Sequence, residues 1–493
     1  MINYNKKRTV IKMILNANDL EKLNKENYDV TVLVSDHTDT DAITTKGYES
    51  YVTELTIPQN DFTVFTIEIA NNKKLVRVNM SRDISAREAQ ILAKKLAKEL
   101  SEAKDIAVVC ETVYDPEITT QFLKRFGLSF DRFAKYMKTG ISSDHQEITD
   151  RNHQPSIHVY GVDKVKVNAI NHRIKSVAFA KNLVNEPANV MTPTQLAAEA
   201  ESFSLNHNID VTIMSEAKIQ SLKMDAFLSV AQGSDEKPKL IVMRYMNNPD
   251  SKEIIGLVGK GVTYDSGGLA IKPATGMVTM HADMGGSAAV IGAINLLAVQ
   301  EAKVNVVAVV AACENMISGH AYRNGDIINS MSGKKIEVIN TDAEGRLTLA
   351  DAIWYAHEIE NVTRIVDIAT LTGAVYAALG DKITGVVSDD ETFYKHLESA
   401  SEAIGDKIWR LPIDEELAKC NESKRADIKN ASTCGAGTTT AGLFLRSFAK
   451  KLPWTHLDIA ATAYKSESDF DPEGASGVGV ELLADAVVKF FSA

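Results

Sequence analysis

Two short stretches concentrate residue types that a hydrophobic core cannot absorb. The first runs Lys260-Gly-Val-Thr-Tyr-Asp265-Ser-Gly-Gly-Leu-Ala-Ile-Lys272-Pro and continues to His281-Ala-Asp283-Met-Gly-Gly286; the second is Asn340-Thr-Asp342-Ala-Glu344-Gly-Arg346-Leu. Charge buried beside an apolar strand costs several kcal/mol unless it is paired or bound to metal. Asp342 and Glu344 stand two apart, so extended backbone would send both side chains from one face, which suits a shared cation. Asp265, Asp283, Asp342 and Glu344 together bring about four negative charges, which two divalent cations would neutralise. If Lys260 is a further ligand, its amine must lose its proton, far below the usual pKa of about 10.4, and a neighbouring dication can drive that loss. Lys272 and Arg346 would then remain as the positive groups facing substrate. Gly267, Gly268, Gly285, Gly286 and Gly345 would let backbone approach an ion or substrate closely, and Gly268 or Gly345 could supply a turn with positive φ. An ion-pair network among the same lysines, Arg346 and acids also satisfies the spacing.

The elements that must position these groups read as α/β. From Val190 onward, apolar segments recur at Leu240 to Tyr245, Ile254 to Val262, Val304 to Ala312, Lys335 to Ile339, Arg364 to Ile368 and His456 to Ala460, with helical patterns at Ala288 to Gln300 and Leu347 to Glu358. Near-continuous apolar strands separated by helices imply an α/β/α sandwich around a mixed, mostly parallel sheet, with ligands beyond the carboxyl ends of its strands. The first ~160 residues alternate strand and helix on a smaller scale, with strands near Phe62 to Ala70 and Ile106 to Cys110 and a helical stretch near Thr119 to Lys138. The expected organisation is an amino-terminal α/β domain over 1–160, a linker helix over 161–185 and a catalytic domain over 186–493.

Composition narrows the function class. The 493 residues are 45% hydrophobic and 24% charged, an ordinary globular balance, and the longest apolar stretch, Val304 to Cys313, reads as a buried strand rather than a membrane span. The start shows no export signal, so the expected location is the cytoplasm. A formal charge of −11 argues against general nucleic-acid or anionic-lipid binding. Lys94, Lys95 and Lys98 form the best basic patch, but they lie opposite the stripe Ala89, Leu92, Ala93, Leu96, Ala97 and Leu100 on a helix opened by Ser85-x-x-Glu88, which makes them a solvated face. Cys110, Cys313, Cys420 and Cys434 show no paired spacing and read as inert, reduced thiols.

Other hydrolase signatures fail. His357-Glu358 has no histidine at 361, no G-x-S-x-G elbow or phosphate-binding P-loop occurs, and Ser266 sits beside Asp265 in a context that favours a metal ligand over a nucleophile. His456, in an apolar run, reads as structural. A dinuclear phosphoesterase commonly uses histidine ligands, and none of the eleven histidines joins the two clusters convincingly, His281 being the one that falls within a quoted stretch. A non-catalytic scaffold would not need five ligands plus Lys272 and Arg346.

The segments VGKGVTYDSGGLAIKP, HADMGGSAAV and NTDAEGRLTLADA resemble the signature of the leucyl aminopeptidase family, dinuclear metal exopeptidases of the cytosol. Asn182-Leu-Val-Asn-Glu-Pro-Ala-Asn189, Glu314-Asn-Met, Arg323-x-Gly-Asp326, Asp367-Ile-Ala-Thr-Leu-Thr-Gly373 and Trp454-Thr-His-Leu-Asp-Ile-Ala460 extend the likeness over roughly residues 170 to 490. The resemblance implies that Lys260, Asp283, Asp265 and Glu344 hold a tighter zinc or manganese ion, and that Asp265, Asp342 and Glu344 hold a more exchangeable one. Lys272 would contact the substrate carbonyl, and Arg346 would hold a bicarbonate that relays a proton. Met280, Thr370, Gly373, Ala460 and Ala463 would form the pocket for the first side chain of a peptide with a free amino terminus, with leucine the natural guest. Ala463 is small where the family often has methionine, so the pocket would be roomier. The resemblance also implies a homohexamer.

Overall fold

Ser85 opens the first long helix, Ala86–Glu99, through a capping box: its Oγ accepts from the Glu88 amide at 3.3 Å while the Glu88 carboxylate accepts from the Ser85 amide at 2.9 Å. The stripe read from the sequence is the buried face, and Lys95 and Lys98 lie exposed opposite it. The computed structural model describes residues 15–18, 23, 27–36, 63–69, 73–80, 83–112, 115–136, 140–141, 147–148, 154–205, 207–466 and 473–493. Much of the polar stretch from Thr139 to Gln154 lies outside the described residues.

The chain parts into two compact units, residues 1–178 and 179–493, and the division falls inside the helix Lys164–Asn185. The first unit holds a six-stranded sheet in the order Leu15–Asn18, Ser156–Tyr160, Asp105–Thr112, Val30–Asp36, Lys73–Met80, Thr63–Ile69. It is parallel except for its last pair. Val32, Val76, Val78 and Val108 are fully buried in it.

The second unit is built on eight strands in the order Lys407–Arg410, Ile383–Ser388, Trp454–Asp458, Arg364–Ala369, Ile255–Asp265, Asn305–Asn315, Lys239–Met246, Asp210–Met214. The four central strands run parallel, and antiparallel pairings flank them on both sides. Two buried helices cover opposite faces of the central strand. A Cβ on Gly259 would strike Ser287 and Val290 of the helix Gly285–Val299, whereas the adjacent Val258 packs in the core that includes Leu347 and Ala350 of the helix Gly345–Glu358. Ile255–Asp265 has the next strand in sequence on one side and Arg364–Ala369 on the other, so its carboxyl end is a topological switch point.

The stretch Ala274–Val299 is long and apolar enough to pass for a membrane span by composition, but 94% of its window is buried inside the protein, and its larger part is the core helix Gly285–Val299. One sequence expectation changes, that for the cysteines. Cys420 and Cys434 form a disulfide with Cα atoms 6.0 Å apart, instead of standing as reduced thiols. A separation of 14 residues carries no pairing signal; a loop that doubles back brings the two sulfurs together. Cys110 and Cys313 are free and buried.

Candidate active site

The strand Ile255–Asp265 supplies both Lys260 and Asp265. Their separation of five would send them to opposite faces of a regular strand, but the register against Asn305–Asn315 shifts between Val262 and Tyr264. The extra residue flips the alternation, so that Asp265 turns toward the cluster Lys260 already faces. Gly267 and Gly268 then bend the chain at φ of 85° and 61°, conformations a side chain would resist, and the loop returns Lys272 to the strand end. Asp342 and Glu344 leave from a turn and not, as the spacing suggested, from extended backbone. Asn340 Oδ1 accepts the Asp342 amide at 2.9 Å, and Glu344 already has helical backbone at the start of Gly345–Glu358. Gly345 is likewise helical, so its role is clearance: a Cβ there would collide with the Lys260 side chain.

Among the described residues, Asp265, Asp342 and Glu344 bring one ligand oxygen each within 4.8 Å of one another. Asp283 stands to the side and is joined to Glu344 through Lys260, whose Nζ lies 2.7 Å from Asp283 and 2.9 Å from Glu344 and also donates to the Thr370 carbonyl at 2.9 Å. Lys272 Nζ lies 2.9 Å from Asp265 and 2.5 Å from Asp342. These distances are those of ion pairs, in which Asp283 Oδ2 and Glu344 Oε1 share the Lys260 ammonium and Asp342 Oδ1 faces that of Lys272. Hard carboxylate oxygens from separate segments that converge in this way fit divalent cations.

Burial and mutual repulsion push the Asp265 carboxyl above its usual range, and burial raises Asp283 and Asp342 too. Burial works against a charged Lys260, but Asp283, Glu344 and Asp265 outweigh it and hold the ammonium. Lys272 follows the same pattern, with Asp265 the largest opposing charge. Arg346 is buried, its Nε has no partner, and burial lowers its pKa to about 10.

Four of the five expected pocket residues gather next to this cluster. Thr370 Oγ1 donates to Asp283 at 2.8 Å, Asp283 follows the short helix Met280–Ala282, and Gly285 faces Thr370 and Ala463. Asp458, at the end of its strand, accepts from Thr372 Oγ1 at 2.6 Å and from the amides of Leu371 at 3.2 Å and Ala460 at 3.1 Å, tying the loop after Ala369 to the loop that holds Ala460. Gly373, the fifth, is exposed and borders open space.

Residues 178–484 match the profile of the cytosol aminopeptidase family, catalytic domain. A probable cytosol aminopeptidase of Treponema denticola is 52% identical over 358 residues, 71% of this chain and 75% of that protein. One from Clostridium perfringens is 51% identical over 311 residues, 63% of each chain, and one from Alkaliphilus oremlandii is 43% identical over 423 residues, 83% of this chain and 84% of that protein. The chain belongs to the cytosol aminopeptidase family. It is a metal-dependent aminopeptidase, a hydrolase of peptide bonds.

For a cytosol aminopeptidase the braces around the ligand loops matter as much as the ligands, and sequence reading missed most of them. Asn315 Nδ2 donates to Asp265 Oδ1 at 2.8 Å and to the Thr341 carbonyl at 3.0 Å, and Tyr322 OH donates to the same carbonyl at 2.7 Å. Polar residues at the carboxyl end of an apolar strand were the available signal for Asn315 and Asp458. His456 is fully buried, 2.5 Å from Asp367, which also accepts from Trp454 Nε1 at 2.7 Å, so it is tied into the sheet away from the carboxylate cluster. Ser266 donates its hydroxyl to the Asn315 carbonyl at 2.7 Å.

Proposed function

We propose that this aminopeptidase works with two divalent ions, manganese or zinc, and releases leucine and other mainly hydrophobic first residues from peptides. The observation that carries the reading is the convergence of Asp265, Asp342 and Glu344, which bring one ligand oxygen each within 4.8 Å of one another. Lys260, Asp265, Asp283 and Glu344 would hold the tighter ion, and Asp265, Asp342 and Glu344 the more exchangeable one, with Asp265 and Glu344 shared. When bound, such a pair lowers the pKa of a shared water toward neutrality and polarises the scissile carbonyl.

The chain's own groups do the rest. Lys260 must surrender the proton its carboxylates now hold in place. Lys272, kept charged beside Asp265 and Asp342, donates to the oxyanion as it forms. Arg346, buried with an unpartnered Nε, would hold a bicarbonate, which would supply a proton relay beside the attacking water. Met280, Thr370, Ala460 and Ala463, with Gly373 at the open edge, receive the first side chain. A free amino terminus ligating an ion would select the first residue, so acetylated peptides should not turn over. The names of the relatives favour a cytoplasmic location, and the family resemblance favours a homohexamer.

The deciding experiment is elemental analysis and anomalous scattering on protein loaded with manganese. Two ions per chain between the Lys260 and Glu344 loops are expected; one or none refutes the two-ion reading.

A further inference from the structure

Asn430 lies 86 residues from Glu344 in sequence, yet its side chain holds the turn that carries Asp342 and Glu344. Its Oδ1 accepts the amides of Ile339 at 2.7 Å and Asn340 at 3.3 Å, and its Nδ2 donates to the carbonyls of Asn340 at 2.7 Å and Ala343 at 3.2 Å. One amide thus satisfies four backbone groups of a single turn, and the residue is fully buried. Its own backbone is fixed in turn: Ile428–Lys429 pairs in parallel with Lys335–Glu337, and the Asn430 amide donates to the Glu337 carbonyl at 3.0 Å.

The segment that delivers Asn430 is closed by the Cys420–Cys434 disulfide. Cys434 is exposed and Cys420 half-buried, so the bond is open to soluble thiols. Between Asn430 and Cys434 the chain becomes progressively more exposed, and closing the loop restricts the conformations open to it.

We propose that Asn430 is the positioning residue of the Asp342–Glu344 turn and that the Cys420–Cys434 disulfide tightens its hold, so that the more exchangeable metal site responds to thiol redox state. The inference rests on the two-ion reading for its metal readout and on the hydrogen bonds alone for its structural one. In the chemical step a reductant thiolate attacks Sγ of Cys434 and expels the Cys420 thiolate. A second reductant thiolate then attacks the reductant sulfur of the mixed disulfide and expels the Cys434 thiolate. The chain gains two electrons and, after protonation, two protons, while two low-molecular-weight thiols leave as their disulfide.

The test uses metal-free full-length protein, titrated calorimetrically with Mn2+ and followed separately by amide hydrogen exchange. Asn430→Ala should weaken the weaker Mn2+ binding event at least tenfold and speed exchange of the Ile339 and Asn340 amides at least tenfold. The Cys420→Ser/Cys434→Ser double variant should move both readouts two- to fivefold in the same direction. Ser423→Ala loosens the same segment elsewhere, because Ser423 Oγ lies 2.5 Å from Glu337, and it should stay within twofold of wild type. Asn430→Ala within twofold of wild type, or matched by Ser423→Ala, overturns the positioning role. A double variant indistinguishable from oxidised wild type overturns the redox half. If wild type takes up fewer than two Mn2+ ions, the two-ion reading fails while amide exchange still decides the role of Asn430.

Discussion

The two ends of the large sheet arrange their charges differently. Near the amino ends of its parallel strands, Arg244 meets Glu360 through two bonds of 2.6 and 2.7 Å, and its remaining nitrogen donates to Asp210 and Thr212, each at 2.9 Å. Tyr355 completes Glu360 with a bond of 2.9 Å. At the carboxyl ends, Lys260 and Lys272 sit as close to their acids, but Asp265, Asp342 and Glu344 bring ligand oxygens within 4.8 Å of one another. A purely structural ion-pair network keeps like charges apart; carboxylates crowded onto one another call for a further positive group. The contrast weighs against the purely structural ion-pair reading that residue spacing alone left open.

The sharpest way to break this contrast is Glu344→Ala. Removing an acid that both ions are proposed to share should cut leucyl-p-nitroanilide hydrolysis at least a thousandfold, and a variant that kept activity within tenfold of wild type would show that Glu344 bridges nothing. Lys272→Ala should cost about 3–4 kcal/mol of transition-state stabilisation, a loss in kcat of two to three powers of ten. Its metal content should remain at the wild-type level, and loss of metal along with activity would reassign Lys272 to holding the site together. The opposite end should respond in the opposite sense. Glu360→Gln should lower stability by about 1–3 kcal/mol in chemical denaturation while activity per folded molecule stays within twofold. A selective loss of activity there would erase the distinction between the two ends.

The sequence was readable wherever a period governs. The apolar runs from Leu240 to Tyr245 and from Arg364 to Ala369 are strands in which all but Arg244 are buried, and Lys260 and Asp265 lie on the central strand itself while Lys272 and Thr370 lie in loops after central strands. It was silent where one residue of register or a distant partner decides. The shift between Val262 and Tyr264 leaves no mark on composition, yet it puts Asp265 on the same side as Lys260. The pairing of Asp342 with Glu344 was anticipated, but from the wrong backbone, because the Asn340 side chain turns the chain before extended geometry can apply. Asn430 depends on a segment that returns from far along the chain, and local patterning cannot reveal a partner more than 80 residues away; Cys420 and Cys434 are only 14 apart, but that spacing carries no pairing signal.

Asp351 offers the finest probe of the comparison, since it lies on the Glu344 helix but takes no part in the carboxylate cluster. It is fully buried, accepts the amides of Met331 at 2.7 Å and Phe227 at 3.0 Å, and burial pushes its carboxyl up to about 7. An unfolded chain releases that proton near pH 4, so between about 4 and 7 the folded form binds it more tightly. The stabilisation from this proton is complete below about pH 4 and is lost as pH rises through 7. Wild-type stability relative to Asp351→Asn, which cannot titrate, should therefore fall by about 1 kcal/mol between pH 6 and pH 8 in denaturant melts of the metal-free protein. A difference that stays flat across that interval, or grows with pH, would mean that the two amides hold Asp351 ionised, and that a buried acid on this helix can be satisfied by backbone donors alone, without a cation.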